Sequence, residues 1–215
     1  MGTRERRRRD ADRRRREILG AARQLFWKNG YAGTSIPEIA RTAELAPGTI
    51  YLYFAGKEAL YIELLIEGYE VLYQRLVAAS RHPVPPAKQA ARLLDVFLAF
   101  AREYPEYYDI IFFLMQKERS GVWEGNFPAE AVASVRAHEA ACKAIASGIL
   151  GRAGFEDPKN RAEIVEAVWS MLSGVIFHFR TDPAGERIAA RAKEMILAAI
   201  FADRLRQVRR RPIED

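Results

Sequence analysis

Within ten positions stand Gly48, Thr49, Tyr51, Tyr53 and Lys57, a set of groups suited to a polyanion. Glycine lets backbone approach a surface closely, and threonine offers a hydroxyl for a base or phosphate and a methyl for thymine. Tyrosine hydroxyls and an ammonium reach phosphate oxygens. The set fits the major groove of duplex DNA if Gly48 and Thr49 open a helix, because the N-terminal end of such a helix meets the groove floor. Lys57 starts the next helix, where its charge and the first-turn N–H groups together favour one more phosphate. No long polar side chain able to make a bidentate base contact lies between Pro47 and Phe54. Sequence readout is therefore expected to lean on backbone contacts, Thr49, an arginine-rich arm and DNA shape.

A second concentration is aromatic: Tyr104, Tyr107, Tyr108, Phe112, Phe113, Trp123 and Phe127, then Trp169, Phe177 and Phe179. At helical spacing such residues either pack as ordinary core or line an apolar cavity. In the second case a tyrosine hydroxyl, His138 or His178 supplies the polar group that orients a ligand. The candidate lining is Tyr104, Tyr108, Phe112, Trp123, His138, Trp169 and Phe177, and the ligand it suits is an apolar or aromatic small molecule.

The elements that must hold these groups read as helices throughout. Ile18, Leu19, Ala22, Leu25 and Phe26 fall on one helical face, which Asn29-Gly30 ends. Thr34-Ser35 followed by Pro37 caps a short second helix with Ile36, Ile39, Ala40 and Ala43 inward. Pro47 opens a third in which Ile50 and Phe54 point in together, leaving Gly48, Thr49, Tyr51 and Tyr53 outward. Longer helices are expected over 57–80, 87–103, 105–116, 128–152, 158–179 and from about 185 onward, separated by proline- and glycine-containing breaks. A loop is expected over 120–127. The expectation is an all-α fold of about nine helices, with a basic arm and helix-turn-helix in 1–60 and a helical sensing and dimerisation domain in 61–215.

Charge divides along the same line. Residues 1–57 hold 13 basic and 6 acidic side chains, whereas the remainder holds 21 and 22, so a net charge of +6 conceals a basic N-terminal quarter on a near-neutral body. Nucleic acid is the partner this implies. Arg4 to Arg16 includes nine arginines, which form either a solvated tail or an arm touching phosphate or a minor groove.

Composition removes other classes. One cysteine, Cys142, forms no intramolecular disulfide, and three scattered histidines show no metal-ligand spacing, so neither a metal nor a cofactor is expected. No GxSxG, phosphate-cradling glycine loop or HExxH occurs, and an enzyme is not expected. The N-terminus MGTRERRRRD has no apolar run behind its charges, so no secretory signal is expected. Ala167–Phe179, the longest stretch without Asp, Glu, Lys or Arg, has 13 residues. That is short of the roughly 20 a bilayer requires, so the expected setting is the cytoplasm without a membrane anchor.

The run GYAGTSIPEIARTAELAPGTIYLYFAGKEAL, Gly30 to Leu60, closely resembles the DNA-binding segment of the TetR family of bacterial transcriptional regulators, with GTIYLYF-x-x-K as its specific core. The resemblance covers about residues 15–65. It implies that Ser35, Pro47, Gly48, Thr49, Tyr51, Tyr53 and Lys57 face double-stranded DNA. It also implies an inducer pocket in the middle helices and a homodimer in which the last two helices pair as a four-helix bundle. A segment apolar on nearly all faces, Ile164–Phe179, agrees with a partner subunit meeting some of Val165, Trp169, Leu172, Val175, Met195, Ala199 and Ile200. Three positions depart from the family pattern: Glu44 where glycine is frequent, Ala46 where a capping hydroxyl is frequent, and Pro37 where many relatives carry a polar side chain. The implied function is a ligand-released repressor on a pseudo-palindromic operator; the alternative is a helical protein that coats nucleic acid without choosing sequence.

Overall fold

A computed structural model describes residues 3–111 and 128–208 of the chain. Among these residues the regular structure is wholly helical: α1 (Thr3–Asn29), α2 (Ile36–Thr42), α3 (Pro47–Tyr51), α4 (Lys57–Ser80), α5 (Pro86–Glu103), α6 (Ala129–Arg152), α7 (Pro158–Phe179) and α8 (Gly185–Val208). A further helical stretch, 105–111, brings the described helices to the expected nine. Phe112, Phe113, Trp123, Phe127, the expected loop over 120–127 and the end of the helix expected over 105–116 lie outside the described residues.

Local chemistry accounts for the boundaries. Asn29 ends α1, and Gly30 turns the chain at φ 71°, with its N–H bonded to the Phe26 carbonyl at 2.9 Å. Ser35 caps α2 reciprocally with Glu38, and Pro37 occupies the first turn, where a missing N–H costs nothing. Asp157 accepts from the N–H groups of Lys159 and Asn160 to start α7. Two of the three departures are visible in the backbone. Glu44 adopts φ 55°, the left-handed conformation for which glycine is suited, and Ala46 starts α3 without a side-chain cap.

Contacts group the chain into two units. The first takes Met1–Gly68 together with Asp109–Arg136, the second Tyr69–Tyr108 and Ala137–Asp215. In the first, Ile18, Ala22, Phe26, Ile39, Ile50, Phe54, Leu60 and Leu64 are buried, and Tyr61 meets the rings of Phe26 and Tyr31 edge-on. In the second, α5 packs on α7 and α8, and α7 on α8. Its core collects Leu72, Leu76, Leu93, Phe97, Phe100, Ile149, Val165, Trp169, Leu172 and Ile176.

Helix α7 is 22 residues long, with mean hydropathy 1.3 over an 18-residue window, so by length and composition it is apolar enough to cross a membrane. The expectation from the 13-residue uncharged stretch is corrected on that point, because a few flanking charges do not remove the window. Only 28% of the window is buried inside the chain. Val165, Trp169, Leu172 and Ile176 nevertheless form one buried stripe at helical spacing, as in a core helix.

Candidate nucleic-acid interface and interior cavity

Helix α3 is a five-residue helix anchored by one side and bare on the other. Ile50 is fully buried and Phe54 nearly so, which leaves the opposite face to solvent. Pro47 and Gly48 are exposed, and a Cβ built on Gly48 meets nothing within 4 Å, so the open face there is not blocked by the chain itself. Thr49 and Tyr53 are half-buried, and Tyr51 is 57% exposed. Leu52, which sequence reasoning passed over, is 82% exposed at the helix end. Gly48, Thr49 and Tyr51 thus share one short helix whose apolar side is fixed.

Lys57 is placed differently from expectation. Its ammonium donates to the main-chain carbonyls of Tyr31 and Thr34, both at 2.9 Å, and lies 4.3 Å from the centroid of the Tyr31 ring. It therefore ties the start of α4 to the loop between α1 and α2. Tyr31 completes the tie by donating its hydroxyl to Glu58 at 2.7 Å. Burial chiefly, then the bond to Glu58 and its charge, push this phenol well above the ordinary tyrosine range. Ser35 is exposed, but its hydroxyl already donates to Glu38 at 2.7 Å. That side-chain bond, then the one from the Ser35 N–H, holds Glu38 below the usual carboxylate range.

Arg15 was missed in sequence reasoning, where it was one arginine in a run. Its guanidinium donates to the Tyr53 carbonyl at 3.1 Å, pairs with Glu63 and lies 4.4 Å over the Phe54 ring. Arg23 pairs with Glu67 one face further along. These two arginines bind α1 to α4, and Arg15 also holds the segment just after α3. Their partners lie 38 to 48 residues away, so no local pattern could have marked them.

The second unit holds a cavity of about 80 Å³ lined by apolar side chains of α4, α5, α6, α7 and α8, among them Leu76, Phe97, Ile149, Val168, Trp169 and Leu197. Among the described residues of the wall, Lys143 is the sole charged one. Its ammonium is held by Glu139 at 2.6 Å on its own helix and by Glu166 at 2.5 Å on α7, and it lies 5.5 Å from the centroid of the Trp169 ring. Burial alone pulls this lysine down, but the bonds and charges of the two glutamates outweigh it and leave it above its ordinary value. The neighbouring Cys142 thiol is pushed up to about 12, mainly by burial and then by the charges of Glu139 and Glu70. It is an inert wall group.

Of the described residues expected around a ligand, Trp169 lines this cavity. Tyr108 packs edge-on against Phe97, with its hydroxyl donated to the Ser173 carbonyl at 3.0 Å. Tyr104 stacks on Phe100 beneath the Arg75 guanidinium, half-buried His138 lies outside the wall, and Phe177 is 57% exposed, so these three do not meet around the cavity. The expected dimer residues also separate. Val165, Trp169 and Leu172 are buried and line the cavity, since an all-round apolar helix does not reveal which face its own chain covers. Ile200 also reaches the cavity wall, Val175 is half-buried, and Met195 and Ala199 are exposed. Among the described residues of α7 and α8, Met171, Phe177 and Met195 are the large apolar side chains that stand half or more exposed.

Residues 18–64 match the family described as bacterial regulatory proteins, tetR family. The chain is similar to the HTH-type transcriptional regulator UidR of Escherichia coli, 36% identical over 70 residues that make up 33% of this chain and 34% of UidR. It is 34% identical over 102 residues to the HTH-type transcriptional repressor NicS of Pseudomonas putida, covering 47% of this chain and 48% of NicS. The chain thus spans a third to a half of the length of these curated relatives. Among solved structures, the transcriptional regulator FadR of Bacillus subtilis in complex with stearoyl-CoA superimposes with a TM-score of 0.66, at 17% identity, over 85% of this chain and 97% of that one. At that identity the likeness is one of fold.

Proposed function

Because residues 18–64 match the family described as bacterial regulatory proteins, tetR family, we propose that this chain is a transcriptional repressor of that family that binds a pseudo-palindromic operator as a homodimer and is released by an apolar or aromatic small molecule. The observation that carries the DNA reading is the bare face of α3. An exposed Gly48 with open space at its Cβ position, beside Thr49 and Tyr51, stands on a helix whose other side is anchored by Ile50. That is the form a major groove accepts. Tyr51 and Tyr53 serve phosphates, and Thr49 a base edge or a phosphate. Ser35 and Lys57 act by fixing the frame, Ser35 through the α2 cap and Lys57 through the loop carbonyls.

The homodimer draws support from Met171, Phe177 and Met195, large apolar groups left exposed on two helices that a second copy would cover. A buried single cysteine suits a reducing cytoplasm. The effector site is the α4–α8 cavity. Its wall supports an uncharged occupant, because Lys143 already has two carboxylates and offers no vacant cation to an acid headgroup. The acyl-CoA held by FadR is for that reason not carried over. Release is a population shift: Leu76 lines the cavity from α4, and the same helix begins at Lys57 beside the DNA-facing segment.

The test is selection of bound duplexes from a random DNA pool at about 150 mM salt, where purely electrostatic binding is weakened. Enrichment of one inverted repeat is expected. Binding without enrichment, vanishing as salt rises, would leave the coating reading instead. With the selected duplex in hand, a cavity ligand that binds without lowering its affinity would remove the release mechanism.

A further inference from the structure

Arg4 to Arg16 holds nine arginines against three acids, a surplus equal to the whole net charge of +6. The stretch lies outside the 18–64 segment that matches the family, so the likeness says nothing of it. It is a continuous part of α1, and residues 4–13 are all exposed. Packing therefore contributes little to keeping it helical. Its electrostatics oppose it as well. Arg4 and Arg8 repel at i,i+4, and positive charge in the first turns opposes the helix dipole, where Glu5 is the one acid, so the Arg13–Asp10 pair offsets only part of the penalty. A polyanion alongside removes both penalties.

The root of this segment is fixed beside the recognition helix. Arg15 grips the Tyr53 carbonyl just past α3 and covers the Phe54 ring. At 3.6 residues per turn, Arg8 and Arg4 lie within about 20° of Arg15 around α1, at about 10 and 16 Å along its axis. The same face that touches the end of α3 thus continues as a line of guanidinium groups. A recognition helix meets base edges with its N-terminal end, so the region beyond its other end belongs to the backbone.

Resting on the DNA reading above, we infer that the arginine-rich start of α1 lies along the phosphate backbone flanking the operator core, with Arg4 and Arg8 as its phosphate contacts. It lengthens the footprint and adds affinity without choosing sequence. Arginine suits this because its planar fork pairs with phosphate oxygens two at a time.

The experiment uses the full chain and a 60-base-pair duplex carrying the repeat selected by the parent protein. The variant Arg4→Gln/Arg6→Gln/Arg7→Gln/Arg8→Gln is expected to lose roughly tenfold or more in affinity near 150 mM salt, with log K against log salt shallower by about 0.9 for each phosphate no longer neutralised. Its selected sequence stays the same, and backbone cleavage protection retreats from the outer edges. The four-lysine counterpart, which keeps the charge, recovers the slope, whereas mere misfolding would not let it do so. An unchanged slope and footprint in the glutamine variant, or a changed sequence preference, overturns the inference while leaving the helix-turn-helix reading intact. A parent chain that enriches no duplex overturns both.

Discussion

The segment around α3 presents its polar groups to solvent, whereas the cavity of α4–α8 is an interior wall. In α3 the apolar residues serve as anchor, and of the groups proposed to act, Gly48 and Tyr51 are exposed and Thr49 half-buried. In the second unit the surface proposed to act is itself apolar and faces in, with Trp169, Leu172 and Leu76 serving as core and as wall at once. An outward site separates stability from function, because its residues do not hold the fold. An inward one joins them. Substitution in the two regions should therefore produce opposite signatures.

The largest effect is expected at Trp169. Its ring is 7% exposed, lies against Phe97 at 4.7 Å between centroids and lines the cavity. Trp169→Ala should cost about 3–5 kcal/mol in denaturant unfolding, through reduced burial and the void left behind. The folded fraction should still select the parent DNA sequence. A stable Trp169→Ala protein with altered sequence choice would break the division just drawn.

Gly48→Ala and Thr49→Ala should do the reverse. The added Cβ at position 48 meets no atom of the chain, so unfolding should move by no more than about 1 kcal/mol, in the stabilising direction expected when alanine replaces helical glycine. Operator affinity should fall, because the methyl stands where the backbone must approach the groove. Thr49→Ala should lose about 1–3 kcal/mol of binding and change the preferred base at one position in each half-site, read by repeating the duplex selection. Uniform weakening over all sequences would reassign Thr49 to phosphate.

The same contrast explains what the sequence revealed. Helix boundaries and the bare face of α3 were legible because each depends on residues within a turn or two: Ser35 with Glu38, Pro47 opening α3, Ile50 with Phe54. The inward placement of Lys57 was not legible, since its acceptors are carbonyls 23 and 26 residues away. Nor was the cavity, which five helices assemble. For α7 the hydrophobic pattern lacks a clean period, so the residues covered by the chain itself, Val165 and Leu172, could not be told from Met171 and Phe177, which it leaves exposed.

The smallest expected effect tests whether the turn of the helix-turn-helix is a frame or a contact. Glu44 is held at φ 55°, a conformation that disfavours an L side chain by roughly 1–2 kcal/mol. Glu44→Gly relieves that strain but loosens the unfolded chain, an opposing term of about 0.4–1 kcal/mol. Strain relief wins by a narrow margin, so stability of the first unit should rise by about 0.5 kcal/mol, measurable as a shift in denaturant midpoint. Removing an acid from an exposed turn beside the helix proposed to face DNA should also tighten binding slightly, and more so at low salt. If affinity instead falls while stability rises, the carboxylate is engaged on the DNA side, for example through water to a base or an ordered cation. The turn would then belong with α3 among the residues that act, and the outward site would extend from the helix into the loop that orients it.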